Sequence, residues 1–210
     1  MTTGTLQNQS ENLSAFGEIY PVPDVVSATL LRPENELEAF FLRLPEFVKG
    51  LNWGVPRYGH PEGLVLLHVR EVLDNIEKLP LSETERRRLR LITFVHDTFK
   101  YKEEKSYPRD WTKHHGVLAR RFLENFSADL QILEVVELHD EAYHIWCEEF
   151  YFKKPEKAAL RLAILYERVK DFLQLYYLFF KCDTRTGDKN QAPLQWFEET
   201  FKEKLIPVVF

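Results

Sequence analysis

The chain is poor in cysteine, in glycine-rich loops, in long apolar runs and in surplus positive charge, and each shortage excludes something. Its two cysteines, Cys147 and Cys182, cannot build a disulfide framework, which fits a reducing, cytoplasmic setting. The longest nearly apolar stretch, Phe172 to Phe180, holds nine residues and is interrupted by Gln174, far short of the roughly 18 needed for a membrane span. The first fourteen residues lack a basic segment leading into an apolar one, so no secretory signal is read there. The 28 Lys and Arg against 33 Asp and Glu give a net charge of −5, which removes the electrostatic case for broad nucleic-acid binding. No Gly-rich phosphate cradle and no G-x-S-x-G elbow occurs, which excludes kinase and serine-hydrolase chemistry. What is present, 44% apolar residues over 210 positions, suits one domain with one core.

Residues 1 to about 22 are polar and then punctuated by Pro21 and Pro23, and read as a loosely held leader. A helical pattern from Asn35 to Lys49 carries Leu37, Phe40, Phe41, Leu44 and Phe47, with Pro45 predicting a kink or break. Further helices are predicted over Leu64–Leu79, over Ser82 to about Thr98 behind a Ser82–Glu85 capping box, and over Lys113–Asn125. Two longer patterns follow, from Ala128 to Glu149 and from Lys157 to Cys182, the second with Leu160, Ile164, Val169, Phe172, Leu175, Tyr176 and Phe179 on its apolar stripe. No alternating strand pattern of useful length appears. The fold class is all-α, in three parts: an N-terminal leader and helical extension (1–57), a main helical domain (58–190), and a C-terminal tail (191–210). The apolar end of that tail, Leu205–Phe210, can pack on the domain or against a second copy in a homo-oligomer.

The seven histidines are distributed by helical phase. His68 shares a stripe with Val65, Val72 and Ile76; His96 follows Leu89 and Ile92; His115 aligns with Leu118 and Phe122; His139 aligns with Ile132, Val135 and Val136. Four helices thus each aim one imidazole at the core. A lone core histidine finds a hydrogen bond, but four converging ones are most readily satisfied by a shared metal ion. Asp97 follows His96, and Asp183 ends the last long helix on its apolar face; carboxylates buried beside imidazoles strengthen the case for a cation.

The segment Phe94-Val95-His96-Asp97-Thr98-Phe99-Lys100 resembles the hydrophobic-hydrophobic-His-Asp-x-x-Lys signature of the HD-domain superfamily of metal-dependent phosphohydrolases. His115-Gly116-Val117-Leu118-Ala119 is similar to the HG-x-x-A segment of members that bind two metals, and the likeness spans about Tyr58 to Asp188. The resemblance implies a single HD-type helical domain. It also implies a core metal site of His68, His96, Asp97 and Asp183, a second metal on His115 and His139 with Asp97 bridging, and Lys100 beside a phosphate or a bridging water. One or two divalent ions (Fe, Mn, Mg, Co or Ni) are expected, since no thiolate set for structural zinc exists. The implied activity is hydrolysis of a small-molecule phosphate ester, a nucleotide or nucleotide-like compound. Two divalent ions against Asp97 and Asp183 leave about two positive charges for a phosphate. A similar ligand order serves the diiron oxygenases resembling myo-inositol oxygenase, and a non-catalytic ligand-binding module is a third reading.

Around this set, His60, His144 and Arg109 are expected to touch substrate at the pocket mouth, and Tyr101–Trp111 to form a lid. His114 lies about 100° around the helix from His115 and is expected at the surface. Asp140 and Glu141 follow His139, and one of them can hydrogen-bond a ligand imidazole, with solvated charge as the default; Glu71 and Asp74 are weighed as groups that orient a ligand or water. Trp111, Tyr143, Trp146 and Tyr176 are read mostly as core, with one or two able to stack on a base. Arg86, Arg87, Arg88 and Arg90 read as a salt-bridged helix surface with Glu83 and Glu85.

Overall fold

Proline and capping side chains cut the chain into short helices, and the cuts decide where the functional side chains end up. The computed structural model describes residues 24–210, so the leader read over residues 1–22 lies outside them. Helices α1 (Val25–Leu31), α2 (Glu36–Phe41) and α3 (Pro45–Leu51) open the described chain. The predicted Asn35–Lys49 helix breaks where Pro45 intervenes: Asn35 caps α2, and Pro45 takes the first turn of α3, where its missing N–H costs nothing. Helices α4 (Val65–Ile76) and α5 (Glu83–Val95) follow, α5 behind the predicted Ser82–Glu85 capping box. After short 3-10 turns at Lys100–Lys102 and Trp111–Lys113 come α6 (His115–Leu123) and α7 (Leu130–Leu138). The rest is α8 (Glu141–Trp146), a π turn at Cys147–Tyr151, α9 (Pro155–Val169), α10 (Leu173–Thr184) and α11 (Ala192–Thr200). The chain is all-α: among the described residues the only extended pairing is a single bridge between Arg57 and His60. None of the described helices is long and apolar enough to cross a membrane.

Helix α10 is the axis. Apart from Gln174 every residue in it is buried, and it packs against α4, α5, α7, α9 and α11. Burying its aromatic rings contributes roughly 1.5–3 kcal/mol each. A second aromatic cluster joins the N-terminal helices to α6: Phe41 meets Phe122 at 5.2 Å, Phe47 meets Phe122 at 5.8 Å, and Phe99 meets Phe122 at 4.9 Å. The C-terminal tail lies on the domain. Gln174 exchanges two hydrogen bonds with the Ile206 backbone, and the buried Lys181 ammonium donates to the Val208 carbonyl at 2.6 Å.

Four expectations need correction. The single helix predicted over Lys157–Cys182 is two, separated by a 3-10 turn at Lys170–Phe172, and α9 buries Ala158, Leu165 and Val169 while Leu160 and Ile164 face solvent. The helix predicted over Ala128–Glu149 breaks at His139-Asp140. There the Tyr176 hydroxyl donates to the Leu138 carbonyl at 2.9 Å and accepts from the Ala142 N–H at 3.2 Å, satisfying backbone groups that the break would orphan. Trp111 and Tyr143 are exposed rather than core, while Tyr176 is fully buried. Finally, the arginine cluster of α5 is not one solvated surface. Arg86 reaches Glu34 and Glu77, and Arg88 reaches Asp129. Arg90 is buried and grips the buried Glu38 through two hydrogen bonds of 3.1 and 2.7 Å.

Removing one partner of such a buried pair strands a charge in a low dielectric. Arg90→Met should therefore cost about 3–5 kcal/mol in urea unfolding. Arg87→Ala, which breaks only the exposed contact with Glu83, should stay within about 1 kcal/mol. Equal losses would show that the Arg90–Glu38 contact does not hold the N-terminal helices to α5.

Candidate metal centre

Helix ends bring the acidic and imidazole groups together. His96 follows the last residue of α5 and His139 the last residue of α7. His115 opens α6, and Asp183 sits in the last turn of α10; only His68 is carried on the flank of its helix, α4. At two of these ends the same device appears. The His96 Nδ1–H donates to the Thr93 carbonyl at 2.9 Å, and the His139 Nδ1–H donates to the Val136 carbonyl at 2.8 Å, each three residues back. The last carbonyls of a helix have no intrahelical donor, so they orient the ring, and the negative end of the helix dipole favours a cation nearby. His115 Nδ1–H donates to Glu103 Oε2 at 2.8 Å, and His68 Nδ1 faces Thr186 Oγ1 at 3.4 Å and Glu62 Oε1 at 3.5 Å.

Since carbonyls only accept, the contacts at His96 and His139 place the ring proton on Nδ1 and leave Nε2 with a lone pair. The Nε2 atoms then meet one another and the carboxylates. On one side His68 Nε2 lies 3.3 Å from His96 Nε2, 2.9 Å from Asp183 Oδ1 and 3.6 Å from Asp97 Oδ2. On the other, His115 Nε2 lies 3.1 Å from His139 Nε2, and Asp97 Oδ1 lies 3.3 and 3.4 Å from the two. Asp140 Oδ2 joins this second group at 3.3 Å from His115 Nε2 and 3.5 Å from His139 Nε2. Asp97 thus gives one oxygen to each side, and its Oδ1 is buried without a hydrogen-bond partner. Acceptors facing acceptors at these distances repel unless a proton or a metal ion lies between them. The buried groups His68–His96–Asp97 and Asp97–His115–His139 can each hold a metal ion, and the donor set fits one.

Local packing enforces the meeting. A Cβ on Gly116 would lie 2.5 Å from the Glu137 carbonyl oxygen, so glycine lets α6 approach α7 closely enough for His115 to reach His139. Electrostatics follow the geometry. Burial opposes the charge on Asp97, yet Lys100 and His96 hold its carboxyl well below the usual range. Burial drives the His96 imidazole down to about 3. For His115 burial opposes a charge, but the Asp140, Asp97 and Glu103 carboxylates around it outweigh it and raise the imidazole to about 10, so without metal this ring carries the proton that separates the acceptors. Lys100 Nζ lies 2.6 Å from Asp97 Oδ2, and Lys189 Nζ 2.8 Å from Asp183 Oδ1.

The cluster opens into a cavity of about 750 Å³ with Asp97, Lys100, His115, Asp140 and Asp183 on its floor and His60, Arg109, Trp111, Tyr143, His144 and Lys189 on its walls. His68, His96 and His139 lie behind the floor. Of the residues expected at the mouth, His60 donates to Glu62 from Nδ1 at 2.9 Å, and His144 has a buried Nε2 without a hydrogen-bond partner. Arg109 is engaged by Glu103 and lies over the Trp111 ring at 5.3 Å. The segment expected as a lid is therefore fastened to the centre through Glu103.

Three expectations change. His114 is buried, not on the surface, because it caps α6: its Nδ1 accepts from the Gly116 N–H at 3.1 Å, which leaves its proton on Nε2, facing Asp140 at 3.7 Å. Asp140 is a member of the centre rather than solvated charge. Glu71 and Asp74 orient no ligand: Glu71 accepts from the Gly187 N–H at 3.0 Å and Asp74 pairs with Arg70 at 2.8 Å. Sequence reasoning also missed Glu62, Glu103 and Lys189. Asp140 had a signal, since His139-Asp140 repeats His96-Asp97 at a second helix end. Glu62, Glu103 and Lys189 had none, because they reach the centre from irregular segments without periodicity. Compared with known proteins, the chain matches no family model, no curated protein and no solved structure.

Asp97→Ala should abolish metal retention through purification, read by elemental analysis, while His114→Ala, which removes no lone pair from the cluster, should keep it; equal loss would make His114 a ligand. A cation must also displace the His115 proton. Apparent Mn²⁺ affinity should therefore rise with pH between 6.5 and 10, by up to about tenfold per unit. His115→Gln should weaken binding and flatten that slope, and a flat profile in the unaltered protein would contradict the assignment.

Proposed function

We propose that the chain is a metal-dependent phosphohydrolase of the HD type, acting on a nucleotide or nucleotide-like phosphate ester. The observation that carries this reading is the division of the Asp97 carboxylate between two sets of imidazole lone pairs at the floor of a cavity. In this reading His68, His96, Asp97 and Asp183 would hold one divalent ion, and Asp97, His115, His139 and Asp140 a second. The donor chemistry, imidazole and carboxylate without thiolate, suits Fe, Mn, Co, Ni or Mg. Such ions supply electrostatic stabilisation of a phosphoryl group undergoing displacement and acidify the attacking water.

The side chains divide the remaining work. Two divalent ions bring four positive charges against Asp97, Asp140 and Asp183, while Lys100 and Lys189 add two and Glu62 behind His68 takes one away. The floor is left net positive in a low dielectric, which draws a phosphate in and holds it. Lys100 sits at the cavity floor, where its ammonium can steady a phosphate oxygen. Burial, with Lys189 and Lys100 adding to it, lowers the His60 imidazole; Glu62 takes its Nδ1 proton, so Nε2 is an acceptor for a hydroxyl of the substrate. The exposed Tyr143 ring on the cavity wall offers a flat surface for a base, whereas the Trp111 ring is covered by Arg109 and Arg161.

The test is a screen of nucleotides for phosphate release by purified protein with Mn²⁺ under anaerobic conditions. Release is expected without oxygen and is expected to stop with chelator and in Asp97→Ala. Turnover that strictly requires O₂ would replace this reading with the oxygenase one; retention of no metal, with a melting temperature indifferent to chelator, would leave only a binding module.

A further inference from the structure

Lys189 lines the same cavity as Lys100, and the two ammoniums are placed alike. Lys100 Nζ lies 2.6 Å from Asp97 Oδ2, and Lys189 Nζ lies 2.8 Å from Asp183 Oδ1 and 3.1 Å from the Asp183 carbonyl. Those two carboxylate oxygens are the ones that face His68 Nε2, at 3.6 and 2.9 Å. Each lysine is thus the counter-ion of one acid in the same donor cluster.

The segment that carries Lys189 is clamped. The Gly59 N–H donates to Asp188 Oδ1 at 2.6 Å, and the Gly187 N–H donates to Glu71 Oε2 at 3.0 Å. Gly187 has φ +52°, and a Cβ there would lie 2.7 Å from Pro61 Cδ, so residues 187–189 are pressed onto the 59–62 loop with no room to slip. The backbone anchor is held, and the side chain of Lys189 reaches from it to Asp183 beside the cavity. Of the other cations lining the cavity, Arg109 is engaged by Glu103, Arg57 is exposed and donates to the Val55 carbonyl at 3.4 Å, and Lys105 is exposed, so neither of the last two sits on an acid of the cluster.

A carboxylate oxygen that ligates a divalent ion has its charge claimed, and an ammonium beside it then faces like charge. Lys189 and Lys100 have one direction in which to relieve this, toward the cavity. Two ammoniums lining one cavity, each beside an acid that faces His68 Nε2, match a ligand with two neighbouring anionic groups better than a ligand with one.

Resting on the phosphohydrolase reading, we propose that Lys189 is a second phosphate-binding residue, which with Lys100 selects an ester carrying two directly linked phosphoryl groups over a monophosphate ester. Lys189 holds the distal phosphoryl group while the cluster and Lys100 hold the one that is displaced.

Mn²⁺-loaded protein is titrated calorimetrically with inorganic phosphate and with methylenediphosphonate, a diphosphate mimic that is not hydrolysed, and its Mn content is measured before and after. The unaltered protein is expected to prefer methylenediphosphonate by about tenfold or more, and Lys189→Gln to lose that preference by a similar factor at equal Mn content. Lys189→Arg should retain most of it. A ratio unchanged in Lys189→Gln overturns the inference, as does loss of Mn in that variant, which would make Lys189 a structural counter-ion. Phosphate binding without any preference for the diphosphonate likewise overturns it while leaving the phosphohydrolase reading standing. If neither probe binds, both fall.

Discussion

A surplus of hydrogen-bond acceptors around Asp97 is the constraint on which the rest of this molecule turns. Four imidazoles turn Nδ1 away, to carbonyls at Thr93 and Val136, to Glu103 and toward Thr186, so that four Nε2 atoms face three aspartates. In a buried cluster an unmatched acceptor costs on the order of a few kcal/mol, and here several are unmatched together. A helical domain gains nothing in stability from that arrangement by itself. It makes sense as a receptacle for positive charge, filled by protons such as the one on His115 or by metal ions.

The fold serves this constraint through helix ends. A donor on the flank of a helix is fixed by the helix axis, whereas a donor at an end can pivot and can borrow the free carbonyls of the last turn. His96, His139 and Asp183 use C-terminal ends, and His115 uses the N-terminal end of α6, with His114 as its cap. The cost falls on α7 and α8, which would otherwise form one helix, and the Tyr176 hydroxyl from the central helix α10 repairs the broken backbone there. Core and centre are therefore one construction: the residue that fills the middle of the core also holds the turn that presents His139 and Asp140.

Much of this was legible in the sequence because it rests on periodicity. The all-α class, the Pro45 break and the Ser82–Glu85 capping box each depend on local rules that tertiary packing does not override. The convergence of His68, His96, His115 and His139 was readable from helical phase, since each shares a stripe with core aliphatics. Helix continuity was less readable. Nothing in Lys157–Cys182 marks the turn at Lys170–Phe172, where the chain passes from α9 into α10. The same phase argument misplaced His114, because capping takes a residue off the helical wheel and turns its side chain inward. Glu62, Glu103 and Lys189 reach the centre from irregular segments, where spacing carries no spatial information.

The claim tested most directly is the protonation pattern of the imidazoles. Long-range ¹H–¹⁵N correlation spectra of the chelator-treated protein report which nitrogen of each histidine bears the proton. The account predicts that His96 and His139 are Nδ1–H tautomers with bare Nε2 atoms, and that a diamagnetic divalent ion shifts those Nε2 resonances. Protonated Nε2 atoms on both rings, untouched by added metal, would contradict it.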